Sequence, residues 1–145
     1  TSMNEGLSSV DLLPGGEVDL RGSFERGLAE ELGLRLGREN QDQLVVHSLI
    51  LDTDRYEWGL LGHLDLRTTG ITSSHIRSMR NSGLAADDWE ASEISFVSFT
   101  KESVLDLISD QGQWIPHGLV NVALSYLYRF PSATPEIIGS LTGMK

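Results

Sequence analysis

The strongest constraint on the fold is a pair of neighbouring strand-like segments joined by a short polar turn. Residues 44–51 (LVVHSLIL) are apolar, partly β-branched and bounded by polar residues, which is typical of a largely buried strand. In residues 56–66, Trp58, Leu60, Leu64 and Leu66 fall on one face at period two, while Glu57, His63 and Asp65 fall on the other. Residues 52–54 (DTD) lie between these segments, so the sequence predicts a β-hairpin.

Four segments have the periodicity or the capping residues of helices. Phe24, Leu28 and Leu32 recur at fourfold spacing, which predicts an amphipathic helix over residues 23–32, capped by Ser23 and stopped by Gly33. The other three helices are expected to begin at Ser73 or Ser74, after a Thr100 cap, and at Pro116. Their inward-facing side chains are expected to be Ile76 and Met79, then Val104, Leu105 and Ile108, and finally Leu119, Ala123, Tyr126, Leu127 and Phe130.

The remaining stretches are expected to be one strand and two irregular ends. Residues 94–99 (ISFVSF) have the composition of a strand. Residues 1–22 are rich in Gly without a sustained apolar period, and the first three are interpreted as a tag-derived segment. The tail after Pro131 is rich in Ser, Gly and Thr and is expected to be loose. The predicted organisation is a leading segment (1–22), one domain (23–131) and a C-terminal tail (132–145).

The balance of charge restricts the partners of this chain. Its 145 residues include 21 Asp and Glu against 11 Lys and Arg, which gives a formal net charge of −10. Such a chain is repelled by phosphate backbones and anionic membranes, so duplex nucleic acid and membranes are not expected as partners. No apolar run approaches the roughly 20 residues that span a bilayer, and no secretory signal is evident, which predicts a cytoplasmic protein. Without cysteine, thiol nucleophiles and Cys-based zinc sites are excluded.

Residues 26–34 (RGLAEELGL) carry the candidate chemistry. Glu30 and Glu31 lie in the last turn of the predicted helix, where the partial negative charge of the helix end disfavours each carboxylate by about 0.3–1 kcal/mol. A hard divalent cation with oxygen ligands would offset that cost. Arg26, one turn before Glu30, can pair with Glu30 and hold its orientation.

The same nine residues resemble the second half of the Nudix family signature, in which Arg-Glu precedes a hydrophobic residue, a Glu-Glu pair and a Gly. The resemblance implies an α/β fold, a Nudix-like α/β/α sandwich with a mixed sheet, in which the helix presents carboxylates to Mg²⁺ or Mn²⁺ on a diphosphate. It implies Glu30 and Glu31 as metal ligands, Glu31 also as a catalytic residue, and Arg26 as the residue that orients Glu30.

The chain departs from the family pattern at several positions. Gly27 replaces the first metal-binding Glu, and we favour a packing role for it, because a mid-helix glycine costs about 1 kcal/mol relative to alanine. Val18 and Leu12 stand where the family has a Glu and a Gly, while residues 13–16 (LPGG) resemble its loop but lie closer to the helix. The family also has strands before the signature. Those strands are therefore missing upstream, borrowed from another chain as in a homodimer, or not needed because the resemblance is local.

Other residues are weighed against ordinary roles. Glu90 and Glu93 precede a predicted strand, where some family members place a carboxylate that positions the attacking water; a solvated loop is the competing interpretation. The histidines show no zinc-ligand spacing such as HExxH, which argues against a histidine zinc site. The core is the expected place for the tryptophans, Trp58, Trp89 and Trp114.

Two functions remain open at this point. The first is metal-dependent hydrolysis of a nucleoside diphosphate derivative, with Glu90 or Glu93 as a further catalytic carboxylate. The second is a Nudix-like domain that has lost hydrolysis and binds a small phosphorylated, nucleotide-like ligand or a partner, as part of a larger regulatory protein. A helix-rich interaction module with a merely solvated acidic helix is the simplest alternative.

Overall fold

Helices and strands combine in the computed structural model, which describes residues 2–54, 56–85, 94–109 and 116–142. Within these ranges, 3-10 helices occur at Ser9–Asp11, Arg38–Gln43 and Pro131–Ala133. The strands are β1 (Ser2–Gly6), β2 (Leu44–Asp52) and β3 (Glu57–Leu64). The α-helices are α1 (Leu20–Leu32), α2 (Ser73–Asn81), α3 (Lys101–Ser109), α4 (Pro116–Arg129) and α5 (Thr134–Thr142).

The described strands form one antiparallel sheet in the order β1-β3-β2. The predicted hairpin is confirmed, because Leu51 lies opposite Trp58 and the chain reverses through the intervening turn. Tyr56 has a φ of 56° in that turn. The register of β2 against β3 shifts between Val46 and Ser48, which marks a β-bulge at His47.

The central strand β3 has a helix on each of its faces. Leu60 and Leu64 lie on one face and belong to a core cluster with Phe24 and Leu28 of α1. Residues at odd positions point the other way. There the ring of His63 contacts the ring of Tyr128 in α4, as part of the packing of α4 on the sheet.

The start of α1 differs from the prediction, whereas its end agrees. The helix begins three residues earlier, and Asp19 is its N-cap, accepting a hydrogen bond from Gly22 N at 2.8 Å. Ser23, the predicted cap, is fully buried one turn inside the helix. The helix ends before Gly33, whose φ of 66° is the left-handed conformation that favours glycine.

Two segments that were expected to be irregular are regular. Ser2–Gly6, expected to be loop and tag, pairs with β3 as an edge strand. Such pairing uses backbone groups, so it needs no apolar period in the sequence. The tail forms α5, and its Ile137 is fully buried in a second cluster with Val104, Ile108 and Tyr126.

Three further expectations about strands and tryptophan are wrong. Residues 94–99 form no strand; Phe96, Val97 and Phe99 in this segment are 39%, 56% and 50% exposed. Strand β2 is half-exposed rather than largely buried, because it is an edge strand of the described sheet. Trp58 is 51% exposed, since its place beside the hairpin turn leaves it at the border of the core.

Helices α2, α3 and α4 lie close to their predictions. Thr100 caps α3 by accepting a hydrogen bond from Ser103 N at 3.3 Å, and Pro116 is the first residue of α4. Of the predicted stripe on α4, Phe130 is the exception, because it lies past the helix end and is 40% exposed. The confirmed inward-facing side chains, fully or partly buried, are Ile76, Met79, Val104, Leu105, Ile108, Leu119, Ala123, Tyr126 and Leu127.

Gly62 gives a direct test of how α1 packs on β3. A Cβ at this position would lie 2.5 Å from Val45 O and 2.6 Å from Phe24 Cζ. Because a backbone oxygen cannot move aside cheaply, we expect Gly62→Ala to lower the free energy of unfolding by about 1–3 kcal/mol. Urea denaturation measures this change.

Gly15→Ala is the matched control, because no atom lies within 4 Å of a Cβ added there. This control should change the free energy of unfolding by less than about 0.5 kcal/mol. Equal transition midpoints for the two variants would contradict the close approach at Gly62.

Candidate functional site

Arg26 lies between two carboxylates from different parts of the chain. Its Nε and Nη2 donate hydrogen bonds to the two carboxylate oxygens of Asp11 at 3.2 and 3.0 Å, which makes a bidentate pair. Its Nη1 donates to Glu30 Oε2 at 3.0 Å, one turn further along α1. The ion pair expected between Arg26 and Glu30 is present, and Asp11 is a second partner that the sequence did not indicate.

Asp11 is held in place by the turn that precedes α1. Ser8 N donates to Asp11 Oδ2 at 2.8 Å, and Asp19 N donates to the backbone oxygen of Asp11 at 2.7 Å. Burial alone raises the pKa of the Asp11 carboxyl. Hydrogen bonds from Arg26 and the Ser8 amide, together with the charge of Arg26, outweigh burial and hold that pKa below its ordinary value. Asp11 is therefore an ionised carboxylate of the protein interior.

A cleft with a volume of 310 Å³ opens beside the Arg26–Asp11 pair. Its wall is the loop after the Ser9–Asp11 turn. In this loop Leu12 and Val18 form an isolated antiparallel β-bridge, and Leu13 N donates a hydrogen bond to Glu17 O at 2.8 Å. The apolar lining residues are strongly exposed: Val10 by 74%, Leu12 by 51% and Leu13 by 43%. The cleft is therefore open to solvent and combines three apolar with three charged side chains.

Glu30 and Glu31 lie in the last turn of α1, as predicted, but they are not among the residues that line the cleft. The side chain of Glu30 is 36% exposed, and Glu31 is partly buried. Arg80 of α2 donates from Nη1 to the backbone oxygen of Glu31 at 3.4 Å. The positive charge of Arg80 lies at the negative end of the helix and stabilises it. The sequence had predicted that a bound metal ion would supply this positive charge.

These residues fit an Mg²⁺ site poorly. One oxygen of Glu30 already accepts from Arg26. Gly27, at the position of the family's first metal-binding Glu, is buried within α1 and supplies no carboxylate. Within residues 2–54, 56–85, 94–109 and 116–142, no group of three or more His, Asp or Glu converges on one point. The donor set that the resemblance implies is therefore reduced to Glu30 and Glu31.

Some expected residues lie outside the described residues. Glu90 and Glu93, the predicted further carboxylates, fall in the stretch 86–93. Trp89 falls in the same stretch, and Trp114 falls in residues 110–115. The prediction that Glu90 or Glu93 positions water therefore stays a prediction.

A histidine pair lies on the sheet face that packs against α4. Nε2 of His47 and Nδ1 of His63 are 2.8 Å apart, and both rings contact the ring of Tyr128 at centroid distances of 5.6 and 5.4 Å. Burial lowers the pKa of His47. It also lowers the pKa of His63 to about 4, with further contributions from His47 and from the neighbouring charges, of which Asp65 opposes the shift. Both imidazoles are therefore neutral at pH 7.

Sequence reasoning missed Asp11 and the histidine pair for different reasons. Asp11 is separated from Arg26 by an irregular loop, and the sequence of this loop has no hydrophobic periodicity from which its course could be predicted. His47 and His63 lie on neighbouring strands of the predicted hairpin, which was a usable signal. Their contact nevertheless depends on the bulge between Val46 and Ser48, which the apolar pattern did not show.

Comparison of the chain with known proteins identifies no similar protein. No protein-family model matches the sequence, and no curated protein or solved structure matches it significantly. None of the helices in the described part of the chain has the length and apolarity that crossing a bilayer requires. Site geometry is thus what bears on the function.

Asp11→Asn preserves the shape of the side chain but removes the charge that Arg26 binds. We expect the free energy of unfolding at pH 7 to fall by about 1.5–3 kcal/mol, the range for hydrogen bonds to charged groups. A carboxyl with a lowered pKa stabilises the fold above its ordinary value of 3.8 and loses that effect as the pH falls further. The difference between variant and wild type should therefore shrink at pH 3, as measured by urea denaturation.

Glu30→Gln is the matched control, because it removes the charge of the other, half-exposed partner of Arg26. An exposed ion pair within one helix contributes at most about 0.5 kcal/mol. Losses of equal size in the two variants would contradict the assignment of Asp11 as the principal partner.

The lowered pKa of His63 predicts a loss of stability in mild acid. The unfolded chain takes up a proton on His63 near pH 6.5, whereas the folded chain resists protonation down to about 4, so stability falls as the pH is lowered through this window. After allowance for solvent screening, we expect the contribution to be about 1–2 kcal/mol. Asp65, Arg67 and Tyr128 are the neighbouring titratable groups.

Urea denaturation between pH 7 and pH 4.5 tests this prediction with two variants. His63→Gln should flatten the dependence of stability on pH, whereas His75→Gln, on the exposed surface of α2, should leave it unchanged. Identical slopes for wild type and His63→Gln would rule the prediction out.

Proposed function

We propose that this chain is a Nudix-like domain that binds a small phosphorylated, nucleotide-like ligand without hydrolysing it. The observation that carries the proposal is the buried glycine at position 27, where the resemblance implies a metal-binding carboxylate. The pair between Glu30 and Arg26 is the orienting contact that the resemblance implies, so it is shared by both candidate functions. The missing carboxylate at position 27 is what favours binding without hydrolysis.

The arrangement of layers supports a Nudix-like sandwich. Helix α1, which carries the signature-like residues, packs on one face of the sheet, and α4 packs on the other. A strand, β1, precedes α1 in the chain, as the family pattern requires. The mixed sheet of such a sandwich would need a parallel strand besides the three described antiparallel ones.

The cleft supports ligand binding at the start of α1. Val10, Leu12 and Leu13 offer an apolar surface for the flat face of a base, and Arg26 is a cation of the lining. Asp11 and Asp19 also line the cleft, so its charge does not favour a bare phosphate. We therefore expect a nucleotide to bind better as its Mg²⁺ complex than alone.

Metal-dependent hydrolysis is the competing function. It would use Glu30 and Glu31 as ligands of Mg²⁺ or Mn²⁺, and both side chains are partly exposed at the helix end. The two functions differ in one measurable respect, because only the hydrolase releases products over many turnovers.

Calorimetry with nucleoside diphosphate derivatives, with and without Mg²⁺, tests the proposal together with a product assay on the same mixtures. We expect saturable binding and no sustained turnover. Leu12→Asp, which places a like charge in the cleft, should weaken binding at least about tenfold, equivalent to about 1.4 kcal/mol.

Val97→Asp is the matched control, because Val97 is similarly exposed at 56% and does not line the cleft. It should bind like the wild type. Turnover that disappears in Glu31→Gln would replace the proposal with the hydrolase, and an absence of binding across the panel would overturn the proposal.

A further inference from the structure

We propose that His47 and His63 form a binding site for a late first-row divalent cation, Cu²⁺ or Ni²⁺. The ligand atoms are Nε2 of His47 and Nδ1 of His63. This site is independent of the proposed function, because His63 lies on the sheet face that packs against α4, whereas Glu30 and Glu31 belong to α1 on the opposite face.

The distance between the two nitrogens is compatible with their binding one metal ion at a right angle. They are 2.8 Å apart. With metal–imidazole bonds of about 2.0 Å, a right angle at the metal places neighbouring nitrogens about 2.8 Å apart, whereas a tetrahedral angle places them about 3.3 Å apart. Right angles are typical of the square-planar and tetragonal sites that Cu²⁺ and Ni²⁺ prefer, and tetrahedral angles are typical of Zn²⁺.

The protonation of the pair suits metal binding at neutral pH. Burial lowers the pKa of both histidines, so each imidazole is neutral and retains one lone pair. Without a metal, one ring must donate its N–H to the other across the 2.8 Å contact. With the metal in place, the protons lie on Nδ1 of His47 and Nε2 of His63. The two neutral rings carry two N–H protons in either state, so no proton is released.

The surroundings hold both rings while leaving access from solvent. Tyr128 packs against each imidazole and restricts its rotation, yet Tyr128 is itself 61% exposed. The strand bulge at His47 turns its side chain toward His63 on the neighbouring strand. Both histidines are partly exposed, so water can complete the coordination of a cation held by the two nitrogens.

Titration of the full chain, freed of metal by dialysis against a chelator, tests the site. Calorimetry with Cu²⁺, Ni²⁺ and Zn²⁺ should show one saturable site that binds Ni²⁺ more tightly than Zn²⁺. The electron paramagnetic resonance spectrum of bound Cu²⁺ should show hyperfine coupling to two imidazole nitrogens. Both readouts are independent of nucleotide binding and of turnover, so their failure is distinct from failure of the proposed function.

Variants with equal numbers of histidines separate this site from general surface binding. His63→Gln should weaken Cu²⁺ binding by roughly tenfold or more, since loss of even an outer hydrogen-bond partner of a metal site costs 10–100-fold. His75→Gln should bind as tightly as the wild type. If His63→Gln does not fold by circular dichroism, His47→Gln replaces it.

Three results would overturn the inference. One is equal weakening in His63→Gln and His75→Gln. Another is an electron paramagnetic resonance spectrum of bound Cu²⁺ that still shows coupling to two nitrogens in both His47→Gln and His63→Gln. The last is tighter binding of Zn²⁺ than of Ni²⁺, which would contradict the right-angled geometry.

Discussion

Strand β3 is the constraint on which the rest of the structure depends, because it is paired on both edges and covered on both faces. Backbone pairing with β1 and β2 uses its hydrogen-bonding groups, and its side chains alternate between the layers of α1 and α4. Leu60 and Leu61 are therefore both fully buried although they point in opposite directions. Asn121 of α4 adds a hydrogen bond from its side-chain amide to Gly62 O at 3.0 Å, which fixes that helix to the strand.

The ion pairs around Arg26 follow from this packing. Once Phe24 and Leu28 are committed to β3, Arg26 is directed to the side of α1 where the Ser9–Asp11 turn lies. Asp11 is buried and cannot remain charged without a partner, whereas Glu30 is half-exposed and can. The same guanidinium thus has a structural partner and a surface partner. The segment therefore keeps the Arg–Glu contact of the signature while its Arg also has a structural role.

Local features of the fold were predictable from the sequence, and contacts between distant residues were not. The hairpin, the end of α1 at Gly33 and the buried stripe of α3 depend on periods and caps that lie within a few residues. Edge strand β1 left no such trace, because its pairing is made by the backbone. The tail did carry a signal, since Ile137 and Leu141 are one helical turn apart and both pack into the second cluster.

The candidate site divides in the same way. Arg26 and Glu30 are neighbours on one helix, so their pairing could be read from spacing. The partner of Arg26 at Asp11 required the course of a loop, and the histidine pair required the register of a bulged hairpin. The amino-acid composition predicted neither contact, because the number of acidic residues and histidines says nothing about which of them lie close together.

The distribution of charge connects the two proposed sites. Three of the 11 Lys and Arg side chains form ion pairs with carboxylates of the chain, namely Arg26, Arg67 and Lys101. Their positive charges are therefore already neutralised. With a net charge of −10, the protein attracts cations and repels anions at long range. A divalent cation therefore approaches the neutral histidine pair with electrostatic help. The nucleotide-like ligand that we propose for the cleft would meet the same field, with less repulsion when its phosphates carry Mg²⁺.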